Sequence, residues 1–300
     1  MAHEHDHGPA TYDRAFAIGL GLNVSFVLVE VFFGVLAGSL ALVADAGHNL
    51  SDALALVLAW GALALSRRTP TARRTYGFRR SSILAALANS LILLVVIGGV
   101  TWEAIRRFSD PAPVDGGLVI IVAAVGVAIN GATALLFAAG RERDANLRAA
   151  FLHMASDAVV SLGVVAAGIG IVTTGWLWLD PAISIAVSVL ILLGTLALLR
   201  DSLNLALDAV PSGIDPDAVR AYLMAVPGVQ EVHDLHVWAM STTETALTVH
   251  LVAGDGTTDD AFLAHMCDEL DDRFEIHHAT IQLERGDPDF PCVLSTEHSL

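Results

Sequence analysis

Six apolar stretches, each close to the ~20 residues that a helix needs to cross a bilayer, dictate what this chain can fold into. They run over Ala15–Val35, Leu40–Leu65, Ser82–Ile105, Leu118–Ala139, Ala150–Val172 and Pro181–Leu199. With 54% hydrophobic and 16% charged residues, the 300-residue chain is too apolar for an ordinary soluble domain. In lipid every backbone polar group must be satisfied internally, so each run is expected to be a helix. Small residues such as Gly19, Gly21, Gly34, Gly126, Gly131, Gly163 and Gly168 recur in the runs and permit close helix–helix approach.

Ionisable residues are costly inside such runs and mark functional sites by default. The second run contains Asp45-Ala-Gly-His48-Asn-Leu-Ser-Asp52, and the fifth contains His153-Met-Ala-Ser-Asp157. Residues four apart share a helix face, so each His-x-x-x-Asp presents an imidazole above a carboxylate. A lone His in a helix is ordinarily a satisfied structural residue, and a lone Asp can cap a helix or pair with Arg. Neither run contains an Arg that would supply that counter-ion. If the two helices face each other, His48, Asp52, His153 and Asp157 converge as four N/O ligands, a set that suits tetrahedral Zn²⁺. Asp45, one turn from His48, is read as a secondary path residue that relays protons or attracts an ion at a vestibule. Glu30 either lines the same cavity or hydrogen-bonds a neighbouring helix, with the structural role favoured. Asn23, Asn89 and Asn130 are expected to bond across helices.

Charge divides the chain. Residues 1–207 carry 13 Arg against 14 Asp and Glu, whereas residues 208–300 carry 3 against 18. The acidic part offers no basic surface, which excludes nucleic acid as a partner. Arg67, Arg68, Arg73, Arg74, Arg79 and Arg80 follow the second run, and Arg141, Arg143 and Arg148 follow the fourth. By the positive-inside rule these loops and both termini are cytosolic. Trp176 and Trp178 then fall at the outer interface. Met1–His7 lacks the basic and apolar regions of a signal peptide, so the first run is expected to be a retained helix. Its His3, His5 and His7 form either a metal-collecting tail or a polar segment without a role. Cys267 and Cys292 form no CxxC, and nothing suggests a disulfide framework.

After Asp208 the pattern changes. Asp215–Val226 has helical spacing, Val229–Ala239 and Thr245–Ala253 alternate, Thr258–Phe274 is helical, and Ile276–Glu284 is a third strand. The order αββαβ predicts a small open α+β sandwich of ferredoxin or metallochaperone type, its helices on one sheet face. The expected organisation is a tail (1–13), a six-helix transmembrane domain (14–207), a cytosolic domain (208–286) and a loose C-terminal tail (287–300). His233, His250 and Glu284 fall on the three strands and His265 on the second helix, which makes them candidates for a second metal site.

The pattern resembles the cation diffusion facilitators, divalent-metal/proton antiporters that include zinc transporters. The resemblance runs from about Arg14 to Glu284. It rests on the six spans, the two His-x-x-x-Asp pairs, Thr75-Tyr-Gly-Phe-Arg79, Asp180-Pro181 and the acidic αββαβ domain. It implies a homodimer in the cytoplasmic membrane and a transport site of His48, Asp52, His153 and Asp157. The cargo it implies is Zn²⁺, with Cd²⁺ or Co²⁺ admitted. Zn²⁺ is also implied as a ligand of the cytosolic domain. Three departures stand out: the loop after the second run lacks ligands, Ser82 stands where an acidic residue is expected, and Gln282 takes the place of a metal-binding His.

The expected mechanism is alternating access with proton exchange, because ligands must be deprotonated to bind metal. A membrane zinc enzyme is disfavoured: His-Glu-x-x-His is absent, and four protein ligands leave no position for a catalytic water. A membrane metal sensor that binds zinc without moving it is the remaining alternative.

Overall fold

The computed structural model describes residues 11–138, 145–254 and 259–295. The His3, His5, His7 tail, with Arg141 and Arg143, lies outside them. Six long helices come first: α1 (Thr11–Leu36), α2 (Leu40–Ser66), α3 (Ser81–Ser109), α4 (Gly116–Ala138), α5 (Ala145–Thr174) and α6 (Leu179–Ala206). Five of them, α2 to α6, are long and apolar enough to cross a membrane, and the apolar Val24–Leu36 of α1 is a shorter sixth. The helices overrun the apolar stretches where polar ends reach the interface, as at Arg106 and Arg107 in the last turn of α3.

The burial pattern is that of a protein in lipid. Phe32, Trp60, Val95, Leu135 and Leu136 are exposed, while Glu30, Asp45, Asn49, Asp157 and Asp180 are buried. Apolar surface faces outward because the surrounding solvent is hydrocarbon, and polar groups turn inward to find partners. Trp176 and Trp178 stack with ring centroids 5.9 Å apart.

The chain forms two compact units, one of residues up to Val57 with Asn89–Leu196, the other of Leu58–Ala88 with Ala197–Leu300. In the first, glycine sets the approach of α4 and α5. A Cβ on Gly168 would lie 2.8 Å from Ile120 Cγ1 and 3.2 Å from the Gly116 carbonyl. Gly126 packs against Phe26 and Ser161, whereas Gly21, Gly131 and Gly163 have open space beside them. Close backbone contact at Gly168 predicts that Gly168→Leu costs about 1–3 kcal/mol through overpacking. Thermal unfolding of the purified protein checks this, with the same change at Gly163 as the silent control.

In the second unit, α7 (Pro216–Ala225), β1 (Val229–Ala239), β2 (Thr245–Ala253), α8 (Asp260–Phe274) and β3 (His278–Glu284) realise the αββαβ order. Asp215 caps α7 and Asp259 caps α8 with side-chain carboxylates. β2 is central, antiparallel to β1 and parallel to β3. Val219 and Leu223 of α7 and Met266 and Leu270 of α8 bury Val237, Leu247, Val249 and Leu251. Strand alternation sends the intervening residues to the other face. There His233 stands opposite His250, and His250 opposite Gln282. Ser82, in place of an acidic residue, accepts a hydrogen bond from the Thr242 amide at 3.1 Å. Arg79 pairs with Glu244 and Arg80 with Asp208.

Candidate metal centres

The first centre grows from the antiparallel packing of α2 and α5. Along α2 stand Asp45, His48 and Asp52, and along α5 stand Ser161, Asp157 and His153, so the two faces meet in three rungs. Ser161 Oγ donates to Asp45 Oδ2 at 2.9 Å. His48 Nε2 lies 3.5 Å from Asp157 Oδ1. His153 Nε2 lies 3.2 Å from Asp52 Oδ2. Within each helix, His48 and Asp52 are 3.6 Å apart and His153 and Asp157 are 3.7 Å apart.

One ligand atom from each of the four residues lies within 4.8 Å of all the others. A tetrahedral cation with bonds of about 2.0–2.1 Å would hold neighbouring ligands roughly 3.3 Å apart, and the 3.2–3.7 Å spacings bracket that value. Asp52 Oδ2 and Asp157 Oδ2 are buried without a protein hydrogen bond. Buried acceptors left in that state call for a partner, and a divalent cation between the two helices would be one.

Neighbouring residues support these ligands. Asn49 donates to Glu30 Oε2 at 3.2 Å, which ties α1 to α2. Asn89 bonds Ser51 across α2 and α3. Asn130 is buried, but its amide nitrogen has no hydrogen-bond partner, unlike the cross-helix bond expected of it. Asp45 has no exposed surface. It stands as the rung beyond His48, held by Ser161.

The second centre lies on the sheet face opposite α7 and α8. His233, His250 and Glu284 come together there. His233 Nε2 is 3.4 Å from Glu284 Oε2, and His250 Nδ1 is 3.0 Å from Glu284 Oε1. The expected fourth member, His265, is exposed on α8 and does not belong to the group. The inward phase of α8 is taken by Met266 and Leu270, and the helix covers the other sheet face.

Cys292 stands in its place, with Sγ 3.4 Å from His250 Nδ1. The segment read as a loose tail thus returns to the sheet. Asp234 sits in a bulge of β1 with φ 48°, a left-handed conformation that Asp tolerates. Its carboxylate lies 3.6 Å from His250 Nε2, the outer-shell contact that orients a ligating imidazole. Burial pushes the Glu284 carboxyl up. The Cys292 thiol, the Gln282 amide and the two imidazoles outweigh burial and hold it below its ordinary value. The same carboxylate pushes the Cys292 thiol above its ordinary value.

The fold defines a polytopic membrane protein with one cluster of potential metal ligands between its helices and another on its α+β domain. Residues 16–205 match the cation efflux transmembrane domain and residues 211–286 the cation efflux protein cytoplasmic domain. The chain belongs to the cation efflux, or cation diffusion facilitator, family of membrane transporters. It is 40% identical to the zinc transporter ZitB of Escherichia coli, over 95% of this chain and 93% of that one. It is 38% identical to the metal cation efflux system protein CzcD of Cupriavidus metallidurans, over 97% and 90%. A cadmium, cobalt and zinc/H(+)-K(+) antiporter of Bacillus velezensis is 33% identical over 95% and 92%.

Proposed function

We propose that this protein exports a divalent cation, Zn²⁺ foremost, across the cytoplasmic membrane in exchange for protons. His48, Asp52, His153 and Asp157 are the transport site. The observation that carries this reading is the convergence of two imidazoles and two carboxylates at tetrahedral spacing inside a helical bundle. Imidazole with carboxylate favours Zn²⁺ over Mn²⁺ and over the hard cations Mg²⁺ and Ca²⁺. The names of the relatives point the same way: zinc for ZitB, and cadmium, cobalt and zinc for the Bacillus antiporter. Cd²⁺ and Co²⁺ are accordingly secondary cargoes.

Both termini are cytosolic in this reading, from the arginine-rich loops. The exposure of the ligands supports ion entry from that side. The two ligands nearer the cytosolic ends of their helices, Asp52 and His153, have side chains 30% and 43% exposed, against 22% for His48 and 3% for Asp157. Beyond them Asp45 and Ser161 are completely buried and close the path outward. A cytosolic ion reaches the open rung and displaces protons from the ligands. Rocking of the helices then exposes the site outward, where protons displace the ion. The protein works as a homodimer through its cytosolic domain, in keeping with the match to the family's cytoplasmic domain. The group of His233, His250 and Glu284 takes Zn²⁺ as a regulatory ligand.

The test is Zn²⁺ flux in proteoliposomes under an imposed pH gradient, with lumenal metal and pH followed together. Zinc uptake with opposite proton movement, lost in Asp52→Ala, is expected. Zinc binding without flux would overturn export and leave a membrane sensor.

A further inference from the structure

The loop from Arg67 to Arg80 carries six arginines, and they divide into two groups. Arg79 pairs with Glu244, Arg80 pairs with Asp208, and the Tyr76 ring meets His278 with centroids 5.8 Å apart. That half of the loop is spent on the α+β domain. Arg67, Arg68, Arg73 and Arg74 are all exposed, and among the described residues none of their guanidinium groups has an ion pair or a hydrogen bond. Elsewhere Arg106, Arg107 and Arg273 each hold a carboxylate. Carboxylates are not scarce near the loop, since residues 208–300 belong to the same compact unit and carry 18 of them.

The backbone fixes where these four cations stand. The Arg67 and Arg68 amides reach back to the Leu63 and Leu65 carbonyls at 3.3 and 3.1 Å, so both residues prolong the last turn of α2. Thr71 and Arg74 then exchange both backbone hydrogen bonds at 3.0 Å, and the Thr71 hydroxyl accepts from the Arg74 amide at 3.2 Å. This tight turn puts Arg73 at its tip. Arg74 lies over the Phe78 ring, 4.4 Å from its centroid, a stacking that leaves the in-plane N–H donors free.

What the cations meet follows from α2. Its apolar run ends at Leu65, two residues before Arg67, and Trp60 and Leu63 near that end are 74% and 51% exposed. An exposed Trp near the end of a span sits at headgroup level, so Arg67 and Arg68 emerge among the phosphates. Basic residues clustered immediately beyond a span attract anionic lipid, and guanidinium forks match phosphate oxygens two at a time. We propose that Arg67, Arg68, Arg73 and Arg74 bind the phosphates of anionic phospholipids in the leaflet at which α2 ends. The turn at Thr71 and the pairs at Arg79 and Arg80 hold the loop in shape, so lipid binding does not first have to order the chain. The proposal rests on the helices as membrane spans and not on the transport site, so lipid preference and zinc flux can fail separately.

The test uses the full-length protein, delipidated in a neutral detergent, with a fluorescent phosphatidylglycerol as the probe. Unlabelled phosphatidylglycerol is expected to displace it at a concentration at least about tenfold lower than phosphatidylcholine of the same chains. Arg67→Gln, Arg68→Gln, Arg73→Gln and Arg74→Gln together should remove that preference, whereas Arg106→Gln should leave it intact. Salt at about 0.5 M should erase it in the unaltered protein, a readout that needs no variant. Equal displacement by the two lipids, a preference that survives high salt, or one undiminished in the glutamine variant would overturn the proposal. Displacement of the probe by inorganic phosphate at constant ionic strength would mark a site for soluble anions and overturn it equally.

Discussion

Asp157→Ala is expected to abolish zinc transport while the protein still folds. Asp157 is the most buried of the four residues proposed as intramembrane ligands, with 3% of its side chain exposed, and it lies near both imidazoles. Removing it leaves two imidazoles and one carboxylate, so the remaining donors no longer enclose a cation. Loss of a contact that merely orients a ligand costs about 10–100-fold in metal affinity, and loss of the ligand itself should exceed the upper end of that range. Folding is less at risk, because the site is built from repulsive and unsatisfied groups: Asp157 Oδ2 already lacks a protein hydrogen bond. Asp157→Asn, equal in shape but neutral, should fail nearly as badly in flux, since the carboxylate's charge holds the cation. Zinc flux and equilibrium zinc binding, measured on the same preparations, check this. Unimpaired flux in either variant would refute the assignment of the site. The same deprotonated ligands make zinc affinity fall as pH falls.

The ladder of α2 and α5 was legible because helix periodicity is local. His48 and Asp52, and His153 and Asp157, share faces by spacing alone. Their presence in apolar runs without a counter-ion marks them as candidates for a functional site. The αββαβ domain was legible for the same reason, since alternation in Val229–Ala239 and Thr245–Ala253 is a short-range signal. The third rung, Asp45 with Ser161, needed one more step of the same arithmetic, because Ser161 is four residues beyond Asp157.

The second centre was legible only in part. The register of three strands aligns His233 with His250, but which fourth side chain joins them depends on how the chain turns after β3. That turn is set at Gly286 by a left-handed φ and a tight contact with Val252, a tertiary fact with no periodicity to announce it. His265 was the natural guess by residue type. The helix phase set by Met266 and Leu270 argued against it, since those residues occupy the buried stripe of α8.

The least legible element was the role of Asp180, and it carries the second large effect. Asp180→Ala is expected to destabilise the membrane unit by upwards of about 3 kcal/mol, at about 1–3 kcal/mol for each buried donor left without its acceptor. Asp180, only 1% exposed, stands in the first turn of α6 and reaches across to the start of α2. Its carboxylate accepts from Ser39 Oγ at 2.5 Å, the Leu40 amide at 2.9 Å and the Ala41 amide at 3.3 Å. These are amides that the first turn of a helix leaves unpaired, and a negative charge there opposes the positive end of the helix dipole. Arg107 of α3 lies 3.7 Å away and donates to the Gly38 carbonyl as well. One side chain thus ties α6, α3 and the start of α2 together, two turns before His48. Alanine would leave three donors without their acceptor at once, while the half-buried Arg107 would keep Glu103 and the Gly38 carbonyl. Asp180→Asn retains one acceptor and should lose less, so the order of melting temperatures is unaltered protein, then Asn, then Ala. Because α2 carries His48 and Asp52, zinc affinity should weaken in the same order, although Asp180 touches no ligand. Equal melting temperatures for all three proteins would show that the cap contributes nothing. Lower melting temperatures with unchanged zinc affinity would show that it holds the bundle without setting the ladder.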